Sequence, residues 1–139
     1  MSMFRIFDVA GSAVSAQSQR LNIVASNLAN ADTVATSDGS AYKARQVVFQ
    51  TTRVGNGSPQ DSSAGVRVST VVEDQSPGRQ MYDPKHRQAN AEGYVTFSNV
   101  NPVEEMVNMI SASRSYQNNI EVMGTARSLL LKTLQIGQS

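Results

Sequence analysis

The first thirty residues carry apolar side chains at an interval that is typical of a packed helix. One row of large apolar residues recurs at seven-residue spacing: Phe7, Val14, Leu21 and Leu28. A second row occupies the complementary positions: Ala10, Val24 and Ala31. Gln17 interrupts that second row. The two rows form a heptad-like seam, which predicts an α-helix from Met3 to about Asn30.

A second long helix is predicted at the carboxyl end by its start and stop signals. Asn101 is a suitable N-cap, Pro102 fits the first helical position, and Glu104 stands where a capping box places an acid. Gly137 is a suitable stop. Apolar residues recur between these signals at spacings of three, four and seven: Met106, Met109, Ile110, Tyr116, Ile120, Met123, Leu130 and Leu134.

The predicted helix lengths indicate an elongated molecule. Helices of about 28 and 35 residues would measure about 42 and 52 Å at 1.5 Å per residue. A compact domain of this chain length would have a diameter of roughly 37 Å. We therefore expect much of both helices to lie outside the hydrophobic core that one chain forms by itself, and to be covered by other subunits.

The residues between the helices show the pattern of short strands and turns. Strands are predicted at 44–52, 66–73 and 94–97, where β-branched and aromatic residues are frequent. Glycine and proline predict a loop over Arg53–Gly65 and a turn over Gln75–Gly78. The predicted fold class is α+β, with two long terminal helices that form a coiled-coil-like pair around a small β-rich insert. The predicted divisions are 1–32 for the first helix, 33–100 for the insert and 101–139 for the second helix.

The charge content narrows the class of function. Charged residues make up 17% of the chain, and the net charge is +1, against a typical charged fraction of roughly 25% in soluble domains. The sequence contains no basic stripe of the kind that binds nucleic acid. The surface must be rich in uncharged polar groups, which can be buried against a partner at a lower desolvation cost than charges.

Candidate chemistry is scarce. His86 is the only histidine and there is no cysteine, so neither a thiolate zinc site nor a histidine cluster is expected. Glu104 and Glu105 are explained by the helix start, since adjacent helical side chains diverge by about 100°. We predict no catalytic, cofactor or metal site, and we expect the protein not to be an enzyme.

The residues expected to carry function are those of a subunit interface. Asn22, Asn27 and Asn30 have two interpretations: ordinary helix surface, or amides that bond to neighbouring subunits. The predicted interface combines the two seams with two of these amides: Phe7, Val14, Leu21, Val24, Asn27, Leu28, Asn30, Met106, Met109, Ile110, Tyr116, Ile120, Met123, Leu130 and Leu134.

Two terminal motifs carry a family resemblance. The segment 15–32, SAQSQRLNIVASNLANAD, resembles the amino-terminal motif of flagellar rod and hook proteins. The segment 100–116, VNPVEEMVNMISASRSY, resembles their carboxy-terminal motif. YDPKH at 82–86 and AEGYV at 91–95, with the KTLQIGQ ending, narrow the resemblance to proximal-rod subunits, although Arg87 stands where that family commonly has proline.

The resemblance implies a structural role in the bacterial flagellum. It implies export through the flagellar type III apparatus without a cleaved signal peptide. It also implies assembly in the periplasm with copies of itself and other rod proteins, in the basal body's drive shaft. In agreement, Asp8, Gly11 and Ser12 interrupt any signal-like apolar run near the amino terminus.

Two other functions fit parts of the pattern. A cytoplasmic coiled-coil adaptor or chaperone-like binding module would use the same helices to bind a partner. An enzyme with a cleft in the β insert would depend on His86. A soluble oligomer of fixed size would favour the adaptor, and fractionation with basal bodies would favour the rod.

Overall fold

Two long helices and two small antiparallel sheets make up the part of the chain that the computed structural model describes, which is residues 3–36, 38–54 and 63–137. The elements follow in this order: α1 (Met3–Ala29), β1 (Arg45–Val54), β2 (Ser63–Glu73), β3 (Gln80–Tyr82), β4 (Tyr94–Thr96) and α2 (Pro102–Ile136). The prediction of an α+β fold with two terminal helices around a small β insert is confirmed.

The start of α2 is fixed by the predicted cap. Asn101 has an extended backbone, and its side-chain oxygen accepts hydrogen bonds from the amides of Val103 at 3.1 Å and Glu104 at 3.5 Å. These bonds satisfy two amides that have no partner within the helix. Pro102 loses nothing at the first position, since its missing N–H would be unpaired there. Gly137 caps the far end in a right-handed conformation, with its amide bonded to the Thr133 carbonyl.

The two helices pack antiparallel. The Arg20 guanidinium donates to Asn108 Oδ1 at 3.3 Å, while Ile6 lines a groove with Val122 and Leu129, further along α2. The side chains of α2 that are buried or half-buried at alternating spacings of four and three form the α2 seam: Glu105, Met109, Ala112, Tyr116, Asn119, Met123, Ala126 and Leu130. This alternation is the heptad pattern of a coiled-coil-like pair.

In α1 the row of small residues is the more deeply buried one. Ala10 and Val24 are 3% and 5% exposed, and Ala31 follows them just beyond the helix end, whereas the row of large residues that begins at Phe7 is half-buried. Ala16 is buried as well. Burial on several sides of α1 arises because α2 and the β1–β2 hairpin both pack against it.

The hairpin lies along α1 and is anchored to it. β1 and β2 pair from Arg45 opposite Glu73 to Val54 opposite Ser63, with a register shift at Val48/Phe49. Ser12 Oγ of α1 accepts a hydrogen bond from the Val66 amide at 3.0 Å. At Gly65 a Cβ atom would lie 2.8 Å from Ser12 Oγ, so glycine permits the close approach of strand and helix.

The prediction of the loop between β1 and β2 is wrong at both ends. Residues 53–54 pair with residues 63–64 in the ladder, so both strands extend into the predicted loop. The rest of the predicted loop, 55–62, lies outside the described residues.

The sequence prediction also missed β3, which pairs with β4 so that Met81 lies opposite Val95. The turn predicted at 75–78 is present as a bend, where Asp74 Oδ1 accepts a hydrogen bond from the Ser76 amide at 2.8 Å.

A small core joins the helix ends to the insert. Ala31, Ala44 and Val100 form a buried cluster with Tyr42 packed against it, and Val95 is 1% exposed. The adjacent junction is polar. Asn27 is 0% exposed; its Oδ1 accepts from the Arg45 amide and the Tyr42 hydroxyl, each at 3.0 Å, and its Nδ2 donates to the Arg45 carbonyl at 2.8 Å.

We expect Asn27→Ala to lower the free energy of unfolding by about 2–3 kcal/mol, because it leaves the part-buried amide and carbonyl of Arg45 without their partners. The matched control is Asn22→Ala on the exposed side of the same helix, which should change stability by no more than about 0.5 kcal/mol. Urea unfolding of the dilute full chain, followed by circular dichroism, measures both. Equal values for the two variants would contradict the assignment of Asn27 as the junction between α1 and β1.

Candidate assembly surface

The predicted loop histidine lies in an exposed turn. His86 Nδ1 accepts a hydrogen bond from the Gln88 amide at 3.2 Å, and Asp83 Oδ1 accepts one from the Lys85 amide at 3.2 Å. These side chains therefore shape the backbone of the turn. Within the described ranges, no group of three or more histidine, cysteine or acidic side chains could hold a metal ion. The feature that calls for a functional explanation is the surface of α2.

One side of α2 exposes a second heptad line, which we call the first flank. Its members lie one position after those of the α2 seam, whose spacing we extend to positions 102, 133 and 137 at the helix ends, and hence about 100° further round the helix: Val103, Met106, Ile110, Ser113, Gln117, Ile120, Gly124, Arg127, Leu131 and Leu134. Val103 and Ile110 are 70% and 55% exposed. From Val103 to Gly124 the line contains no charge.

The opposite side of α2, the second flank, is polar in its first half and apolar in its second. Its members lie one position before those of the seam: Glu104, Asn108, Ser111, Ser115, Asn118, Val122, Thr125, Leu129, Lys132 and Ile136. Val122, Leu129 and Ile136 are all exposed. The charges of this flank stand only near its ends, at Glu104 and Lys132.

The remaining line of α2, opposite the seam, is the outer ridge: Val107, Arg114, Glu121, Ser128 and Gln135. Arg114 and Glu121 on this ridge are exposed charges in the middle of the helix. A helix that faced water everywhere outside the seam would carry charge on its flanks as well. The distribution is that of a helix contacted on three sides, with only the ridge solvated.

The predicted interface residues of α2 fall on two of these lines. Met109, Tyr116, Met123 and Leu130 belong to the seam and are half-buried. Met106, Ile110, Ile120 and Leu134 lie exposed on the first flank. The structure thus separates a set that the sequence treated as one surface into half-buried seam residues and exposed flank residues.

The predicted interface residues of α1 are divided in a similar way. Those of the large-residue row are half-buried: Phe7, Val14, Leu21 and Leu28. Val24 and Asn27 are buried within the chain, and Asn30 Nδ2 donates to the Ser26 carbonyl of its own helix at 2.8 Å. The interface role predicted for Asn27 stays a prediction. Within one chain its amide bonds to Arg45 and Tyr42, because the hairpin covers that side of α1.

Sequence interpretation missed exposed apolar residues on both flanks. Val103 and Leu131 belong to the first flank, and Val122, Leu129 and Ile136 to the second. The signal that could have found them is the heptad frame, because each lies one position away from a seam position.

Among the described residues, neither helix combines the length and the apolar character of a membrane span.

Comparison with known proteins gives matches at both ends of the chain. Residues 7–34 match the family described as flagella basal body rod protein, and residues 91–136 match the one described as flagellar basal body rod FlgEFG protein C-terminal. These ranges contain almost all of α1 and all of α2.

Relatives match over nearly the entire length. The flagellar basal-body rod protein FlgC of Escherichia coli O157:H7 is 54% identical over 138 residues, covering 99% of this chain and 100% of that protein. FlgC of Salmonella typhimurium is 53% identical with the same coverage. FlgC of Buchnera aphidicola subsp. Baizongia pistaciae is 36% identical over 140 residues. The chain therefore belongs to the FlgC family of flagellar basal-body rod proteins.

Proposed function

We propose that the chain is a structural subunit of the proximal rod of the bacterial flagellum, the drive shaft that transmits torque. It assembles through its terminal helices with copies of itself and other rod proteins into a helical tube. The observation that carries this proposal is the pair of largely exposed flanks on α2, whose few charges stand near the helix ends and whose apolar residues a solitary domain would leave in water.

The flanks suit repeated contact with neighbours. Burying apolar and uncharged polar side chains costs less desolvation free energy than burying charges, and the apolar residues gain about 25 cal/mol for each Å² removed from water. The two flanks differ in sequence, so a contact between the first flank of one copy and the second flank of the next is heterologous. Such contacts generate open helical arrays when they do not close into a ring.

The interface that we propose includes the half-buried seams as well as the flanks. Half-buried residues such as Phe7, Leu28 and Met123 still have surface that a neighbour can cover.

The three proposed divisions, 1–32, 33–100 and 101–139, have different roles in this arrangement. The helices make the contacts between subunits, and the insert braces α1 through the hairpin.

We further propose that the chain reaches the periplasm through the flagellar type III apparatus without cleavage of a signal peptide. The support is the use of the first residues in the fold. Cleavage after Ala16 would remove Ala10 from the buried row and Ser12 from its hydrogen bond to β2. A segment that holds the folded protein together is unsuited to removal.

Substitution of Ile110 by aspartate tests the first flank. Ile110 is 55% exposed, so Ile110→Asp should change monomer stability by no more than about 0.5 kcal/mol. In an assembled rod the carboxylate would be buried without a partner, at a cost of several kcal/mol. We expect normal thermal unfolding of the purified chain, loss of swimming in soft agar and absence of rods from basal-body preparations.

The control for Ile110 is Ser128→Asp, which places the same charge on the outer ridge and should leave swimming intact. Swimming at the normal rate by the Ile110→Asp strain would contradict the assignment of the first flank. Recovery of the unaltered chain as a cytoplasmic oligomer of fixed size, and never with basal bodies, would instead favour the adaptor.

Substitution of His86 tests for overlooked chemistry in the insert. His86→Ala removes one exposed acceptor from a surface turn, so we expect rods in normal number and swimming within about twofold of the unaltered strain, as for most surface substitutions. Electron microscopy of isolated basal bodies and soft-agar assays measure this. Loss of rods at normal protein abundance would show that the turn contains an essential contact.

A further inference from the structure

One carboxylate oxygen of a buried glutamate at the start of α2 lacks a hydrogen-bond partner. Glu105 is 6% exposed, and its Oε2 atom has no partner among the described residues. Its backbone amide donates to the Asn101 carbonyl at 3.0 Å, as expected in a first helical turn. The side chain occupies a seam position that would ordinarily hold an apolar residue.

The helix start cannot fully compensate for this burial. A helix N-terminus favours a carboxylate by about 0.3–1 kcal/mol, and a buried charge without a hydrogen bond costs more than that. Among the residues that the structure describes, the other buried side-chain acceptor without a partner is Gln17 Oε1. An amide can exchange its oxygen and nitrogen positions by rotation, whereas an ionised carboxylate can only accept hydrogen bonds. Of these two side chains, Glu105 is therefore the one that more strongly requires a hydrogen-bond donor.

Glu105 lines a groove between α1, α2 and β1. The groove has a volume of about 450 Å³ and is also lined by Arg20, Arg45 and Gln46. The cations that line the groove have partners other than Glu105. Arg20 donates to Asn108, which lines the same groove, at 3.3 Å, while Arg45 pairs with Glu73 at 3.4 Å and lies over the Tyr42 ring. A donor for Glu105 can thus come from outside the chain.

We propose that this groove receives a basic side chain of a neighbouring copy of the chain, whose nitrogen donates a hydrogen bond to the Glu105 carboxylate. The proposal rests on the proposed function, because it needs copies side by side in the rod. Charge along α2 supports a second copy as the source. Both acids of its first turn precede exposed basic residues on the flanks further along, at Arg127 and Lys132. Copies that run in the same direction with a stagger bring the basic part of one α2 beside the acidic start of the next.

The Glu105 carboxylate has opposite effects on free energy in the two states: it destabilises the free chain and stabilises the assembled rod. In the free chain the carboxylate is a cost, and an uncharged side chain of the same shape removes it. In the rod the carboxylate accepts a charge-assisted hydrogen bond, which an amide replaces poorly. Glu105 is therefore a contact residue for assembly, and the fold of the monomer does not depend on its charge.

Glu105→Gln in the full chain tests both effects. The urea midpoint of the dilute variant should equal or exceed that of the unaltered chain. Its incorporation into isolated basal bodies should fall roughly tenfold or more, the change expected for loss of one hydrogen bond to a charged group. The matched control is Glu121→Gln, which removes a carboxylate from the outer ridge of the same helix and should alter neither measurement.

The outcomes separate this inference from the proposed function. If Glu105→Gln lowers the urea midpoint, the carboxylate has an intrachain partner and the inference fails. It also fails if Glu105→Gln is incorporated as efficiently as Glu121→Gln. If the unaltered chain itself is absent from basal bodies, the proposed function fails. A photo-crosslinking phenylalanine derivative at Gln46 should give an adduct of twice the chain mass, and an adduct with a different rod protein would overturn the second copy as occupant.

Discussion

The burial of α1 between α2 and the β1–β2 hairpin is the constraint on which the rest of the structure depends. A two-stranded hairpin is marginally stable alone, so β1 and β2 need the helix beneath them. The helix in turn is stabilised by tertiary packing more than by its own propensity, because it contains four serines, two asparagines and a glycine. Small side chains such as Ala10 and Ala16 at the contacts allow both neighbours to approach α1. Helix and hairpin should therefore form and unfold together.

This arrangement leaves α2 covered on one side only. α1 is shielded by two neighbours, while α2 contacts α1 through its seam and exposes apolar residues on both flanks. The exposed set begins at Val103 in the first turn and continues to Ile136 in the last. A single copy of the chain contains nothing further to cover them among its described residues. The asymmetry between the helices explains how a chain of 139 residues can have a stable interior and still form an extended assembly.

The sequence predicted the helices better than the insert, for physical reasons. A heptad repeat sustained over many turns identifies a packed helix, and the cap at Asn101 marks its start. β3 contains three exposed residues without alternation, so its pairing depends on β4 and is not encoded locally. The loop prediction was too long because Gly65 indicates a turn, whereas here it permits contact with Ser12. In α2, periodicity located Met109, Tyr116, Met123 and Leu130 of the seam but missed the more deeply buried Ala112 and Ala126, because alanine is a weak apolar signal. The burial of Asn27 depends on which face the hairpin covers, and no local pattern encodes that.

The buried polar groups divide according to whether the chain itself satisfies them. Both polar atoms of the Asn27 side chain form hydrogen bonds with the Arg45 backbone of β1. Such a network specifies one arrangement of helix and hairpin. Glu105 occupies an equivalent depth in α2 but retains an unused acceptor. A monomer selected for its own stability would have an apolar residue at that seam position. A subunit of an assembly can retain a costly group there, because the free energy is recovered when a neighbour supplies the donor. The position of unsatisfied groups in a single chain thus indicates where its neighbours are expected to lie.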